Sequence, residues 1–293
     1  MEINILEITK EYKGKKAVDS LSLTLTNGVY GLLGANGAGK TTLMNLICML
    51  VKPESGEIQL NGADIADMGE EYRRHLGFLP QNFEGYPDFT AQEFLEYIAA
   101  LKGVSIDDRL DYLLESVGMS DEIHRKIRTF SGGMRRRIGI AQAMINDPDI
   151  LILDEPTAGL DPKERARFRN IISSLSREKI IILSTHIVSD IEHIADNIII
   201  MKDGRLLDTG APESITGRLA GAVWELEAGE DEIQNYELSI RITLFKSCTI
   251  CSVRSMDFGR VRIRLVLGAK PAIAAVSVQP ELEDVYLYYF GGR

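Results

Sequence analysis

The sequence has no long apolar run: no stretch approaches the roughly 18 consecutive apolar residues that a membrane-spanning helix needs. It also lacks a secretory signal, because its first twenty residues are polar and mixed in charge. Positive charge is scarce, with 33 lysines and arginines against 43 aspartates and glutamates. This acidic balance argues against nucleic acid as the main partner. We therefore expect a cytoplasmic protein, and any membrane-spanning part must come from another chain.

Cysteine is scarce as well, and the three that occur are typical of a reducing compartment. Cys248 and Cys251 have the spacing of half a zinc site or of a redox pair. No second pair and no nearby histidine completes a metal set, and the flanking residues favour a strand. We therefore expect no metal or redox function there. Cys48 lies among leucines and an isoleucine, which places it in a core.

The sequence does have a glycine-rich loop, GANGAGKTT, at residues 34–42. An apolar run at residues 29–33 precedes it, and an apolar helical pattern at residues 43–50 follows it. In that order the pattern GxxxxGK[ST] forms a cup of backbone N–H groups at the positive end of a helix, which is a polyphosphate site. Lys40 can reach the β- and γ-phosphates, and the Thr41 hydroxyl can help to hold Mg²⁺. The predicted nucleotide-binding residues are Gly34, Ala35, Asn36, Gly37, Ala38, Gly39, Lys40, Thr41 and Thr42.

The residues around this loop predict strands. Residues 3–8 and 21–25 alternate between apolar and polar side chains, as half-buried strands do. Asn27-Gly28 then predicts a hairpin turn into the apolar run at 29–33. The expectation is a phosphate loop embedded in a partly antiparallel N-terminal sheet.

Further along, residues 150–153 and 180–183 form continuous apolar runs of the kind that buried parallel strands need. Helical patterns at about 162–176 and 187–196 follow them. This is the βαβ alternation of a parallel sheet. Residues of about 88–145 have helical spacing instead, which predicts a helical insertion.

The character of the sequence changes near Pro212. We therefore predict two domains, an α/β domain at 1–212 and a small α+β appendage at 213–293. Residues 282–290 predict a closing amphipathic helix in the appendage. No residue of the appendage indicates a function.

Asp154 and Glu155 follow the buried run at 150–153. Asp154, at the carboxyl end of a buried strand, can anchor the water shell of Mg²⁺. Glu155 can orient the water that attacks the γ-phosphate or accept a proton from it. The alternative is an acidic cap between a strand and a helix that takes no part in chemistry.

A second helix start that favours phosphate lies at residues 131–133, Ser-Gly-Gly. Ser131 is a good N-cap, and the glycines leave N–H groups bare at the positive end of the helix. The chain has one GxxxxGK[ST] but two such helix starts. A head-to-tail dimer would explain both, with each Ser-Gly-Gly closing over the ATP of the other chain. The alternative is an ordinary capped helix, of which residues 135–137 (Arg-Arg-Arg) would form a solvated basic face.

In order, the chain carries Tyr12, GANGAGKTT, Gln81, SGGM at 131–134, ILILDEP at 150–156, AGLD at 158–161 and His186. Over residues 1 to about 212 this set resembles the ATP-binding subunit of an ABC transporter. The resemblance implies an α/β P-loop NTPase with a RecA-like core, an N-terminal antiparallel β-subdomain and a helical signature subdomain. It also implies ATP as the nucleotide, Mg²⁺ as the metal ion and ATP hydrolysis as the activity.

The resemblance assigns roles by position. Tyr12 would stack on adenine, and residues 34–42 would wrap the phosphates. Gln81 would contact Mg²⁺, together with Thr41 and Asp154, and would sense the membrane partner. Ser131, Gly132 and Gly133 would meet the γ-phosphate held by the opposite chain.

Two further roles follow from the resemblance. Asp161 would lie in the loop that crosses the dimer interface, and His186 would contact the γ-phosphate and hold the catalytic geometry with Glu155. The family's usual signature is LSGGQ, and here Phe130 and Met134 replace its first and last positions. The phosphate-binding core is retained, so the departure removes only a polar contact of the final glutamine.

The implied partners are a second copy of the chain, or a paralogous ATPase subunit, and an integral-membrane permease. The chain would then be peripheral on the inner face of the cell membrane. Residues 86–97 and the tail at 280–286 resemble ATPases that serve drug, antibiotic or peptide efflux, which implies export. The alternatives are a soluble ABC ATPase of the translation or DNA-repair type, and a regulatory module that binds ATP without hydrolysing it.

Overall fold

The computed structural model describes residues 1–106, 109–185, 187–229, 248–257, 260–271 and 275–291. The chain divides into two compact units, Met1–Thr209 and Gly210–Arg293. The boundary expected from the sequence, at 212, lies three residues further along. None of the helices in the described ranges is both long and apolar enough to cross a bilayer.

The strands up to residue 210 are β1 (Glu2–Tyr12), β2 (Lys15–Thr26), β3 (Gly28–Leu33), β4 (Ser55–Leu60), β5 (Ala63–Asp64), β6 (Leu76–Leu79), β7 (Ile150–Asp154), β8 (Ile180–Ser184), β9 (Asn197–Lys202) and β10 (Arg205–Gly210). The helices of the same part are α1 (Lys40–Ile47), α2 (Ile65–Met68), α3 (Glu70–Arg74), α4 (Ala91–Lys102), α5 (Leu110–Ser116), α6 (Gly132–Ala143), α7 (Pro162–Leu175) and α8 (Val188–Ile191).

The core sheet of the larger unit has the strand order β10-β9-β3-β8-β7-β6. Strands β9, β3, β8, β7 and β6 run parallel to one another. Every residue of β3, β7 and β8 is buried, as expected of parallel strands covered on both faces. The P-loop NTPase architecture that the sequence implied is therefore present, and the carboxyl ends of five parallel strands meet at one edge.

The predicted hairpin at Asn27-Gly28 is wrong. Strand β2 pairs antiparallel with β1 in a separate sheet of order β2-β1-β4-β5, whereas β3 pairs with β8 and β9 in the core sheet. The residues themselves explain the difference, because β2 has many exposed positions and suits a half-solvated sheet, while β3 is buried throughout. The turn passes the chain from one sheet to the other, so the phosphate loop follows a strand of the parallel core.

Helix α1 begins within the phosphate loop, at Lys40. It buries Leu43, Met44 and Leu46 in a hydrophobic core that also contains side chains from both sheets.

The segment predicted as a helical insertion contains α4, α5 and α6. A capping box starts α4, with the Thr90 hydroxyl accepting from the Glu93 N–H at 3.2 Å and the Glu93 carboxylate accepting from the Thr90 N–H at 2.8 Å.

Helix α8 is shorter than the predicted helix at 187–196, since it ends at Ile191. Asp196 is the physical reason that the chain leaves the helix early. Its carboxylate accepts from the Val29 N–H at 2.7 Å, and its own N–H donates to the Val29 carbonyl at 2.8 Å. These contacts hold Asp196, the residue before β9, against the start of β3. Strand β9 then runs parallel to β3.

The smaller unit contains α9 (Pro212–Gly217), β11 (Val223–Gly229), β12 (Thr249–Met256), β13 (Arg260–Val266), β14 (Ala275–Ser277) and α10 (Leu282–Phe290). Its strands form an antiparallel sheet of order β12-β13-β11-β14. The closing helix lies where the sequence predicted it. Arg264 ties this unit together, because its guanidinium donates to Asp284 at 2.7 and 2.9 Å and to Glu225 at 3.1 Å.

The cysteine pair of the smaller unit lies at the start of β12. Cys248 and Cys251 are free thiols, and the described part of the chain holds no cluster of three or more histidine, cysteine or acidic side chains that could bind a metal ion. Burial, followed by the charge of Asp284, raises the pKa of the Cys251 thiol to about 12. The thiol is therefore protonated at neutral pH, which makes it a poor nucleophile.

Candidate functional site

The glycine-rich loop connects the buried strand β3 to helix α1. Gly39, the residue before the helix, has a φ of 104°, and a Cβ at this position would lie 2.2 Å from the Ala17 carbonyl oxygen. At Gly34 a Cβ would lie 2.6 Å from the Met201 carbonyl oxygen. Both positions therefore require glycine for reasons of space, and Gly39 also requires it for its backbone conformation.

Lys40 lies inside the curve of the loop. Its ammonium donates to the carbonyl oxygens of Gly34 at 2.6 Å and of Ala35 at 3.3 Å. Burial lowers its pKa, while the nearby Glu155 and Asp154 carboxylates act in the opposite direction. A phosphate arriving in the loop would favour the charged ammonium as those carboxylates do, because an opposite charge stabilises the protonated form.

A cavity of about 470 Å³ opens in front of the loop. It is lined by Tyr12, Lys15, Ala17, Asn36, Gly37, Ala38, Gly39, Lys40, Thr41, Thr42, Gln81, Asp154 and Glu155. Residues that are far apart in the sequence therefore share one site with the phosphate loop. The sequence analysis did not predict Lys15 and Ala17 as site residues. Both follow Tyr12 in the same antiparallel pair of strands, so their closeness to Tyr12 in the sequence was the signal that could have identified them.

Asp154 and Glu155 occupy the carboxyl end of β7. One Asp154 carboxylate oxygen accepts from the Thr41 hydroxyl at 3.0 Å, and the other accepts from the Ser184 hydroxyl. The Ser184 oxygen in turn accepts from the Glu155 N–H at 2.9 Å. Ser184 thus organises both acidic residues, and no sequence pattern predicted this role. Its register opposite Asp154, at the end of the neighbouring parallel strand, shows why it lies there.

The residues of this cavity fit a magnesium ion. A hydroxyl from Thr41, an amide from Gln81 and a carboxylate from Asp154 all line it, and Mg²⁺ prefers oxygen ligands of these kinds. The hydrogen bond between Thr41 and Asp154 holds two of the three side chains together. One or two protein ligands suffice for Mg²⁺ when phosphate oxygens supply the rest.

Other predicted residues lie elsewhere. Ser131 and Gly132 are exposed at the start of α6, where the Ser131 hydroxyl accepts from the Met134 N–H at 3.1 Å, and residues 131–133 do not line the cavity. Asp161 is exposed and caps α7, its carboxylate accepting from the Glu164 N–H at 2.8 Å. His186 lies outside the described residues.

The predicted solvated basic face of α6 is wrong for one of its arginines. Arg136 is only 7% exposed, and its guanidinium donates to the backbone carbonyls of Pro156 and Gln81. The physical reason is helical geometry, because α6 packs against β6 and successive residues point about 100° apart around a helix. Arg135 and Arg137, its neighbours, are half-buried and donate to the carbonyls of Phe130 and Gly118.

Comparisons with known proteins agree with this geometry. Residues 18–158 match the family described as ABC transporter. The chain is 32% identical to the Nod factor export ATP-binding protein I of Rhizobium etli, over 99% of this chain and 93% of that protein. It is 39% identical to the bacitracin transport ATP-binding protein BcrA of Bacillus licheniformis, over 70% of this chain and 68% of that one.

A solved structure shows the same likeness. The dimeric ATP-binding cassette MJ0796, in a post-hydrolysis state bound to ADP and Pi, is 28% identical and superposes with a TM-score of 0.64. The match covers 71% of this chain and 98% of the cassette. The larger unit therefore has the fold of a protein that holds the products of ATP hydrolysis.

The position of Ser184 leads to a first prediction. Ser184→Ala removes the acceptor of the Glu155 N–H and a donor to Asp154, both of them buried. We expect turnover of ATP to fall and the free energy of unfolding to fall by about 1–3 kcal/mol, because buried polar groups lose their partners. Steady-state kinetics and urea unfolding measure the two effects. Ser174→Ala is the control, since Ser174 is exposed and its hydroxyl bonds only within its own helix; equal behaviour of the two variants would contradict the role given to Ser184.

Proposed function

The chain belongs to the family of ABC transporter ATP-binding proteins, and from that premise we propose that it powers export through a separate membrane permease. It binds ATP and hydrolyses it, as its family does. The observation that carries the proposal is the cavity in which the phosphate loop meets Tyr12, Gln81, Asp154 and Glu155.

In the proposed mechanism the loop N–H groups and Lys40 bind the phosphates, and Tyr12 stacks on the adenine. Mg²⁺ held by Thr41, Gln81 and Asp154 would neutralise charge on the phosphoryl group that is transferred. Glu155 orients a water molecule and accepts its proton while the water oxygen attacks the γ-phosphorus. The bond to the leaving ADP breaks, and the products are ADP, inorganic phosphate and a proton.

The second half of the site is proposed to come from a partner copy or a paralogous ATPase subunit. Residues 131–133 begin a helix and do not line the cavity of their own chain, and two of the three residues are exposed. Bare N–H groups at a helix start bind anions well. Exposed Asp161 lies at another helix start, suited to the same interface. We therefore propose that residues 131–133 contact the γ-phosphate of the partner's ATP and that Asp161 lies in the interface. His186 is proposed to contact the γ-phosphate together with Glu155, as the resemblance to the family implies.

Export is supported by relatives of this chain. Two of them carry names that assign Nod factor export and bacitracin transport, and the first matches nearly the whole length of this chain. A permease would supply the membrane-spanning part and would hold this chain on the inner face of the cell membrane. The alternative of a soluble ABC ATPase in translation or repair is not favoured by these relatives.

The role of Glu155 gives a second prediction. Glu155→Gln keeps the size of the side chain but removes its capacity to accept a proton. We expect the turnover number to fall at least about a hundredfold, while ATP is retained and an ATP-bound dimer accumulates. Phosphate release and size-exclusion chromatography with ATP measure this. Glu178→Gln, at an exposed carboxylate outside the cavity, is the control; turnover at the wild-type rate in Glu155→Gln would show that Glu155 is not the base.

The shared site gives a third prediction. Ser131→Arg and Lys40→Ala should each abolish turnover on its own. A mixture of the two chains should regain activity, because a mixed dimer contains one site with both intact residues. If Ser131 served the nucleotide of its own chain, the mixture would stay inactive, and that result would contradict the head-to-tail arrangement. Lys40→Ala mixed with Glu155→Gln is the control. Lys40 and Glu155 line the cavity of the same chain, so each site of a mixed dimer carries one of the two changes and the mixture should stay inactive.

The permease gives a fourth prediction. Affinity purification of the tagged chain from gently solubilised membranes should recover a membrane protein with several spanning helices, identified by mass spectrometry. Addition of that protein in vesicles should change the ATPase rate of the purified chain. Recovery of ribosomes or DNA in its place would support the soluble alternative and contradict the transport proposal.

A further inference from the structure

Arg136 uses every hydrogen-bond donor of its guanidinium group. An arginine side chain has five N–H donors in a fixed planar fork, and here each one meets a different backbone carbonyl. The five acceptors are the carbonyl oxygens of Pro80 (3.2 Å), Gln81 (2.8 Å), Pro156 (3.2 Å), Asp154 and Glu155. The side chain is buried, so water does not compete for these bonds.

The five carbonyls belong to two segments. Residues 80–81 follow β6, and residues 154–156 include the end of β7, which is the parallel neighbour of β6. One nitrogen of the fork, Nη1, holds the first segment, while Nη2 and Nε hold the second. Because the guanidinium is rigid, it sets the distance between the carbonyl of Gln81 and those of the two acidic residues.

The same arginine connects these segments to a third part of the machinery. Arg136 lies in α6, within two turns of the N-cap Ser131. A short stretch of helix therefore separates the helix start from the fork. Burial lowers the pKa of Arg136, whereas the Asp154 and Glu155 carboxylates raise it. The carbonyl dipoles and the carboxylate charges therefore offset part of the cost of burying the cation.

Glu155 combines a hydrogen bond from the fork with an uncommon backbone conformation. Its φ is 50°, a left-handed conformation that is uncommon for a residue other than glycine. Such a conformation persists only where the surroundings enforce it. Ser184 accepts from its N–H and Arg136 donates to its carbonyl, so both sides of the residue are fixed. The direction of the Glu155 side chain follows from that backbone conformation.

We propose that Arg136 is a positioning residue for ATP hydrolysis: it holds Glu155 in its reactive orientation and makes that orientation depend on the position of Gln81. The inference rests on the proposed role of Glu155 as the base. Arg136 does not touch the cavity itself. Its effect is to turn a displacement of the segment at Gln81 into a change of geometry at Glu155, and so into a change of turnover.

The test compares Arg136→Lys and Arg136→Gln with wild type. Lysine keeps the charge and length of the side chain but has three donors without the planar fork. We expect the turnover number of Arg136→Lys to fall by about tenfold or more, because small errors in the position of a catalytic group are costly. The KM for ATP should stay within about twofold, because the phosphate loop is unchanged. A purely structural role would instead lower the melting temperature and leave the turnover of folded protein intact.

Arg135→Gln is the matched control. It removes a neighbouring arginine of the same helix that donates to a single carbonyl, that of Phe130, and we expect wild-type turnover. If Arg136→Gln does not fold, Arg136→Lys decides the question, since it retains the buried cation. Turnover in Arg136→Lys equal to that of the control would overturn the inference.

A double-mutant cycle tests the link to Gln81. Gln81→Ala keeps the carbonyl that the fork holds but removes the side chain that is proposed to contact Mg²⁺ and to sense the membrane partner. If the fork transmits that signal to Glu155, the losses from Gln81→Ala and Arg136→Lys should be clearly less than multiplicative when combined. Multiplicative losses would overturn the coupling. Glu155→Gln is measured beside them: wild-type turnover there would overturn the proposed function, whereas an inactive Glu155→Gln with fully active Arg136→Lys would overturn this inference alone.

Discussion

Parallel pairing among buried strands is the constraint on which the site depends. Strands β3, β8, β7 and β6 lie side by side, so their carboxyl ends meet at one edge of the sheet. The phosphate loop leaves the first of these strands, Ser184 ends the second, Asp154 ends the third, and Gln81 follows the last. Each of these residues reaches the cavity or its acidic pair because its strand is hydrogen-bonded in register to the next. A shift of one strand by a single residue would reverse which side chains face each way.

Buried charge is the second theme of the site. Lys40 is enclosed by loop carbonyls, and Arg136 is enclosed by five carbonyls from two segments. An unpaired buried ion is very costly, so these acceptors are required for the fold as well as for the reaction. The consequence is that the segments after β6 and β7 are joined by hydrogen bonds to one guanidinium group. In this protein the acceptors of those hydrogen bonds are backbone carbonyls at the ends of β6 and β7.

The two helix starts have different surroundings, and this difference supports the dimer proposal. Helix α1 begins at the cavity, whereas the start of α6 and the capping residue of α7 are exposed. A helix start binds a phosphate from outside the chain only where its N–H groups are accessible, and N–H groups at helix starts favour anions. The exposure of Ser131 and Asp161 is therefore suited to an interface with another chain, and the similarity to a dimeric cassette points the same way.

The sequence by itself predicted the phosphate loop and the acidic pair Asp154 and Glu155, because these depend on local residue order and on the apolar runs beside it. The ordered set of motifs identified the family, and Tyr12 and Gln81 were assigned through that resemblance. The tertiary structure alone decided that β3 leaves the hairpin predicted at Asn27 and joins the parallel sheet, since pairing between distant strands has no local pattern. It also decided the roles of Ser184 and Arg136. A serine that ends a strand and an arginine within a basic run look ordinary in sequence, and their function comes from which backbone groups the fold brings within hydrogen-bonding distance.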